Sequence, residues 1–478
     1  MRTALALFEV RRLLRSPLLW AAAALAVTWR ATMTWQMMPN WSLEAVHTAT
    51  ATLIVGAAAL VAANLVTTRD RRDGIREALA ALPVRAPART SAAVVATCAV
   101  AVLGATAATL LLLATLSVDA VPAGRLDVYE LCGGVAAVAL AAALGVALGR
   151  WIPHPMAPLV AIFLLGMAMI VGAGGRLLPV VFVWDMPVHL SRPSGLHVVY
   201  VCALVVLAGA AALLRYGPRP ARVTAAVTAL AVAAGVTTAT AGEAQDVPAA
   251  TQHCERRGDL TYCAFPGYEP WIALWAGAVE PVARALPPAA RAHLPQIRQR
   301  AGGDMEFYLP QADADRSVRP GQTWGRNGGE TAYRRTLAAR TAAAITGLPW
   351  GGRNSQVDSL SCDARDQART VVALWLAGHT AAQRLPVDVE IIRKFGNRRV
   401  GTMGRSDMGW VDYSAAELEY SRHLLARPGA RQAVWEHWDR LLDPRTTVRQ
   451  ALPLLGLRPL PATYSALPAD RMREEACP

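Results

Sequence analysis

Val46-His-Thr-Ala-Thr-Ala-Thr-Leu-Ile-Val-Gly-Ala-Ala-Ala-Leu-Val-Ala-Ala-Asn-Leu-Val-Thr67, followed by Thr68-Arg-Asp-Arg-Arg-Asp-Gly-Ile-Arg-Glu-Ala-Leu-Ala-Ala-Leu-Pro83, is the stretch that decides how this chain is built. Residues 46–67 contain no Asp, Glu, Lys or Arg. As a helix they are long enough to cross the roughly 30 Å of hydrocarbon in a bilayer. At Arg69 the chain switches to mixed basic and acidic residues. There Ile75, Leu79 and Leu82 fall on one face of a short helix, leaving Arg72, Arg76 and Glu77 for a partner. A span followed by an amphipathic mixed-charge segment is more than a turn.

Outward from this stretch, apolar runs recur at about 18–38, 91–116, 131–150, 156–174, 196–215 and 223–241, making seven predicted spans. The composition agrees. Of 478 residues, 54% are hydrophobic and only 17% charged, with a mean hydropathy of +0.27, where a soluble protein would carry about a quarter charged residues. Residues 1–240 hold eighteen arginines against nine acids, and ordinary composition begins near 241. The polar connections alternate in charge. One side carries fourteen arginines, among them Arg11, Arg12, Arg69, Arg76, Arg150 and Arg215, and the other only Arg125, Arg176 and Arg192. This asymmetry predicts a cytoplasmic N-terminus. Seven crossings then put residues 242–478 outside the cell. The expected architecture is an all-α polytopic domain of about seven transmembrane helices in the plasma membrane, followed by an α-rich α+β extracytoplasmic domain. Span seven, rich in Ala and Thr between Arg222 and Gly242, reads as a signal-anchor or, if cleaved, as an internal signal sequence.

Lys394, the only lysine, lies in Arg-Lys-Phe, so no Walker A loop is present; no His-Glu-x-x-His occurs either. Cys98, Cys132 and Cys202 fall within predicted spans as small buried residues. Cys254, Cys263, Cys362 and Cys477 lie in the exported part, where disulfides form. Cys254 and Cys263 bracket Glu-Arg-Arg-Gly-Asp-Leu-Thr-Tyr, which reads as a hairpin with a cross-strand bridge. Elimination pairs Cys362 with Cys477. The Arg257-Gly258-Asp259 tripeptide in the hairpin is a chance match.

The N-terminal stretch Leu-Ala-Leu-Phe-Glu-Val-Arg-Arg-Leu-Leu-Arg-Ser-Pro (5–17) separates Leu5, Phe8 and Leu13 from its basic residues, as in a helix lying in the headgroup layer. This segment and the one at 69–83 resemble the elbow and the coupling helix of permease subunits of type 2, export-type ABC transporters. The matches are Glu9, Arg11, Arg12, Leu13, Leu14, Arg15, Ser16 and Pro17, then Asp73, Gly74, Glu77, Leu79, Leu82 and Pro83. They cover the chain through span six. The departure is a seventh span with a large external domain. That arrangement is similar to variants whose tail opens with a Cys/Pro/Tyr segment, here Tyr262-Cys-Ala-Phe-Pro-Gly-Tyr-Glu-Pro270. The resemblance implies coupling through Glu9, Arg12, Asp73, Gly74, Glu77, Leu79 and Leu82 to a separate cytoplasmic ATPase, which would hold the ATP and magnesium. It also implies a homodimer, or a heterodimer with a second permease, among membrane lipids and without nucleic acid. This chain itself carries no cofactor and no catalytic motif.

Arg30, in the outer part of span one, is either a snorkelling interface residue between Trp29 and Trp35 or a cavity residue with Asn64 facing the same space. In the tail, Pro270–Leu286, Pro288–Arg300, Gly328–Leu348, Asp363–Gln383, Ala415–Leu425, Gly429–Leu442 and Thr446–Leu455 read as helices. Met305–Leu309, Val387–Ile392 and Arg399–Met403 read as strands. Cys362 with His379, Glu436-His437, and Asp358 with Asp363 and Asp366 each read better as structural than as catalytic or metal-binding. The alternative to a permease is a membrane-anchored enzyme or receptor whose working part is 242–478.

Overall fold

The computed structural model describes residues 2–72, 74, 85–118, 121–171, 190–191, 194–240, 245–246, 252–299, 317–320, 324–326, 330–348, 362–380, 411–460 and 476–477. The chain is mostly helical and divides into two compact units, Met1–Val247 and Pro248–Pro478.

The first unit contains α1 (Arg2–Leu14), α2 (Pro17–Thr34), α3 (Trp41–Ala51), α4 (Leu53–Arg72), α5 (Ala86–Leu116), α6 (Val128–Trp151), α7 (Ala157–Val171), α8 (Ser194–Leu214) and α9 (Pro220–Thr240). Two short strands, β1 (Leu190–Ser191) and β2 (Gln245–Asp246), pair antiparallel. Local chemistry sets the helix starts. Pro17 and Pro220 stand in first turns, where the missing N–H costs nothing. The Asp127 carboxylate caps α6 by accepting from the backbone N–H groups of Tyr129 and Glu130.

Among the described residues, five helices are long and apolar enough to cross a membrane: Trp41–Arg69 (α3 running into α4), Ala86–Leu116, Val128–Trp151, Ser194–Leu214 and Pro220–Ala239. α2, with Arg30 inside its 18 residues, and the described part of α7, 15 residues, are not among them. Large apolar side chains such as Leu25, Leu103, Leu110 and Phe163 point outward, while the interior is built of Ala, Gly and Thr. In lipid, apolar burial does not hold helices together, so close backbone approach takes its place. α6 shows this best. A Cβ at Gly134 would stand 2.7 Å from Ala49 Cα, and one at Gly145 only 2.3 Å from the Leu60 carbonyl oxygen. These contacts fix α3–α4 against α6 in a single register, 49 beside 134 and 60 beside 145.

Cys132 and Cys202 are exposed on this unit and Cys98 is half-buried, contrary to the buried placement expected of them. Cys98 packs against the helix core, its thiol donating to the Ala139 carbonyl.

The second unit is built around α13 (Ala368–Gly378), whose ten residues from Ala368 to Ala377 are all buried. Against it pack α10 (Ile272–Ala285), α12 (Glu330–Ile345), α14 (Ala415–Ala426), α16 (Trp438–Leu442) and α17 (Val448–Leu455). The short α11 (Pro288–Arg291) and α15 (Ala430–Glu436) complete the helices, and a four-stranded sheet lies with α10. In it β3 (His253–Arg257) and β4 (Leu260–Ala264) form the expected hairpin, with Gly258 at φ +57° in the turn. β5 (Gln296–Arg298) and β6 (Ser317–Val318) then add in parallel.

Three sequence expectations change here. Pro288–Arg300 is not one helix: α11 ends at Arg291 and the chain turns into β5. Asp363–Gln383 begins as a strand, because β7 (Cys362–Asp363) pairs with β8 (Val411–Asp412) before α13 starts. Gly429–Leu442 breaks at His437, which leaves helical geometry between α15 and α16. The strands expected at 305–309, 387–392 and 399–403 lie outside the described residues.

Candidate functional site

At one end of the first unit the polar groups collect where the helix termini meet. α1 packs on α5, burying Glu9 and Leu13. The Glu9 carboxylate accepts from Arg69 Nη2 at 3.2 Å, tying α1 to the last turns of α4. Both groups are largely shielded, so the pair holds more than an exposed one would. At the same end Arg150 Nη1 donates to the Thr67 carbonyl (3.3 Å), the Thr90 and Tyr216 hydroxyls are 2.9 Å apart, and Arg215 lies over the Trp151 ring.

The face of α1 differs from expectation. Phe8 does not join Leu13 on the packed side; it is exposed together with Leu7, Arg11, Arg12 and Arg15. Glu9, paired with Arg69, lies on the packed side with Leu13, and Phe8 does not. Beyond α4, Gly74 is exposed at φ +68°, a left-handed conformation that favours glycine directly after the helix. Asp73, Glu77, Leu79 and Leu82 lie outside the described residues.

At the opposite end of α3–α4, the Arg30 side chain reaches from α2 to α3. Its Nη2 donates to both Glu44 oxygens (2.8 and 2.7 Å) and lies 2.9 Å from His47 Nδ1. The side chains of Arg30 and Glu44 are 13% and 7% exposed. Arg30 is thus paired with a buried carboxylate, which lowers the cost of holding a cation within an apolar helix. Glu44 and His47 were not singled out in the sequence. The available signal was their spacing of three, one helical turn, at the edge of the apolar run. Asn64, fully buried, has no partner for either end of its amide. It stands twenty residues beyond Glu44, about 30 Å of helical rise. Arg30, held at Glu44, and Asn64 thus lie at different levels along α3–α4.

In the second unit Cys254 and Cys263 are bonded across the hairpin. Cys477 is buried and disulfide-bonded, and its backbone N–H donates to the Asp363 carbonyl, beside Cys362. The side chain of Cys362 lies outside the description. Arg369, buried, ties this corner together by donating to Gln367 Oε1 and to the carbonyls of Gly347 and Cys477. Burial pushes its pKa below the usual arginine range, partly offset by Asp443. His379 stacks edge-on against Trp375, and burial with nearby Arg431 pushes its pKa down, keeping it neutral. His437 lies 3.2 Å from the Ala433 carbonyl, and Asp363 pairs with Arg365. Among the described residues no group of three or more His, Cys, Asp or Glu side chains is placed to hold a metal.

No protein-family profile, curated protein or solved structure matches this chain.

Proposed function

We propose that this chain is the permease subunit of an ABC exporter, with seven spans, its N-terminus in the cytoplasm and residues 242–478 outside the plasma membrane. The five long apolar helices supply five spans, and α2 and α7 the other two. The observation that carries the reading is the Glu9–Arg69 ion pair. It joins the amphipathic N-terminal helix to the helix that leads directly into the mixed-charge segment at 69–83. A force applied there by a cytoplasmic ATPase would reach α1 through that pair and α6 through the Gly145 and Gly149 contacts with α4. The partner binds and hydrolyses ATP with magnesium; this chain's part is to receive the motion at Glu9, Arg12, Asp73, Gly74, Glu77, Leu79 and Leu82. A second permease copy or a sister permease completes the pathway.

The test is a tagged full-length chain with Leu79→Ala and Glu77→Arg. Truncating an interface anchor costs about 2 kcal/mol, roughly thirtyfold in affinity. The double variant should insert normally and lose the ATPase that co-purifies with the parent. Unchanged capture of the ATPase and unchanged transport would remove the support for this reading and shift attention to residues 242–478.

A further inference from the structure

Where α2 meets α3, Arg30, Glu44 and His47 come together. Arginine has five N–H donors and no acceptor, and it stays charged. His47 Nδ1, 2.9 Å from Arg30 Nη2, therefore accepts, which makes the imidazole neutral with its proton on Nε2. Glu44 accepts from the same nitrogen as a carboxylate. A second proton on His47 would turn Nδ1 into a donor. Two cationic donors would then face each other beside one carboxylate, and their repulsion would weaken the hold of Glu44 on Arg30.

At this junction Arg30 is held by Glu44 and faces His47. The rest of the buried face of α2 is Leu19, Ala22, Ala23 and Ala26, which pack without directional bonds, and Thr34, whose hydroxyl donates to the Arg30 carbonyl within α2. One turn deeper than Glu44 on the same face of α3, Thr48 is fully buried and its hydroxyl has no partner. Among the described residues, these charged groups approach from neighbouring elements. Arg30 comes from α2 and Glu44 from the turn before His47. Buried Glu130 on α6 is level with Ala45, as the Gly134–Ala49 contact and the Ser42 bonds to the Arg125 backbone require. Asp127 is occupied in capping α6, and buried His197 of α8 sits beside Gly133. α5 buries only Thr, Ala, Gly, Val and Leu among its described residues.

We propose that Arg30, Glu44 and His47 form a proton-operated latch. Neutral His47 holds the Arg30 end of α2 on α3, and a proton taken up by His47 from water on that side of the membrane releases it. The latch does not rest on the permease reading or on its orientation.

The test uses the full-length chain in lipid nanodiscs, where both faces see one pH, carrying Thr48→Cys as a buried reporter. Labelling by a water-soluble thiol reagent is compared with the same chain carrying His47→Gln, which keeps an acceptor but cannot take the proton. Comparison at equal pH cancels the reagent's own pH dependence. Acidification from about pH 7.5 to about pH 4.5 should raise the ratio of the two labelling rates about tenfold, a tenfold shift toward the released state. His47→Lys should label fast at pH 7.5, and Arg30→Leu, which removes the donor, should label fast at both pH values. Equal labelling of the His47 and His47→Gln chains in acid would overturn the latch. So would a pH response that survives in Arg30→Leu, whatever the behaviour of the Lys variant.

Discussion

Replacing Gly145 by alanine adds one methyl group, yet at this position it should unsettle the whole membrane unit. The added Cβ would stand 2.3 Å from the Leu60 carbonyl oxygen, 3.0 Å from its carbon and 2.9 Å from Ala63 Cβ. Ordinary contact needs about 3.4 Å or more, so α4 and α6 must part by about an ångström. The obstacle is backbone, which has no rotamer to yield. Alanine is by itself the better helix former, by about 1 kcal/mol relative to glycine. Overpacking of this kind costs about 1–3 kcal/mol, and more where backbone must move. The net expected for Gly145→Ala is a loss of about 2 kcal/mol, roughly thirtyfold in the folded-to-unfolded ratio. The control is Gly235→Ala on α9, where nothing lies within 4 Å of the new Cβ. There the propensity gain acts alone, and stability should stay level or rise. Unfolding in mixed micelles by added SDS measures both on the full chain. Were Gly145→Ala to unfold at the same or a higher SDS fraction than the parent, the close α4–α6 approach would be wrong.

Cys263→Ser opens the hairpin bridge and should cost the second unit about 2–5 kcal/mol, read as protease cleavage at lower temperature. If Cys362 is the partner of Cys477, Cys362→Ser should make Cys477 alkylatable without reductant in an otherwise folded chain; a still-protected Cys477 would refute the pairing. Arg369→Met leaves Gln367 Oε1 and the Gly347 carbonyl without this donor and the Cys477 carbonyl with only Gln367 Nε2, at a cost of about 1–3 kcal/mol, and should expose the 476–477 segment first in limited proteolysis. His379 has a folded pKa below its unfolded value. As pH falls through about 6.5 the unfolded chain takes up a proton that the fold refuses, so this group erodes stability toward acid. The erosion is under about 1.4 kcal/mol per pH unit, and His379→Gln should flatten the denaturation midpoint between pH 7.5 and 5.5.

What the sequence made legible follows from what a bilayer demands. A helix in lipid must be apolar over its whole length, so Trp41–Arg69 and the four other long helices were visible as runs. The 254–263 hairpin was visible because its turn glycine and paired cysteines are local. Contacts between distant residues had no such signature. Gly145 looks like any small residue in an alanine-rich run, and only the Leu60 carbonyl behind it shows why nothing larger fits. Glu44 sits outside the apolar run and reads as a loop acid, although it is the counter-ion of Arg30 fourteen residues earlier. β7 and β8 are two residues each and pair across 49 positions, too short for any alternation to register. Phe8 was misplaced for a related reason. Its helix has two amphipathic solutions, and the one observed buries Glu9, paired with Arg69 sixty residues away. In this chain Arg30, Glu44, Glu9 and Arg69 are charged groups whose place in the fold depends on a partner on another helix. A single carboxylate or guanidinium inside an apolar bundle is a cost, and pairing across helices lowers it.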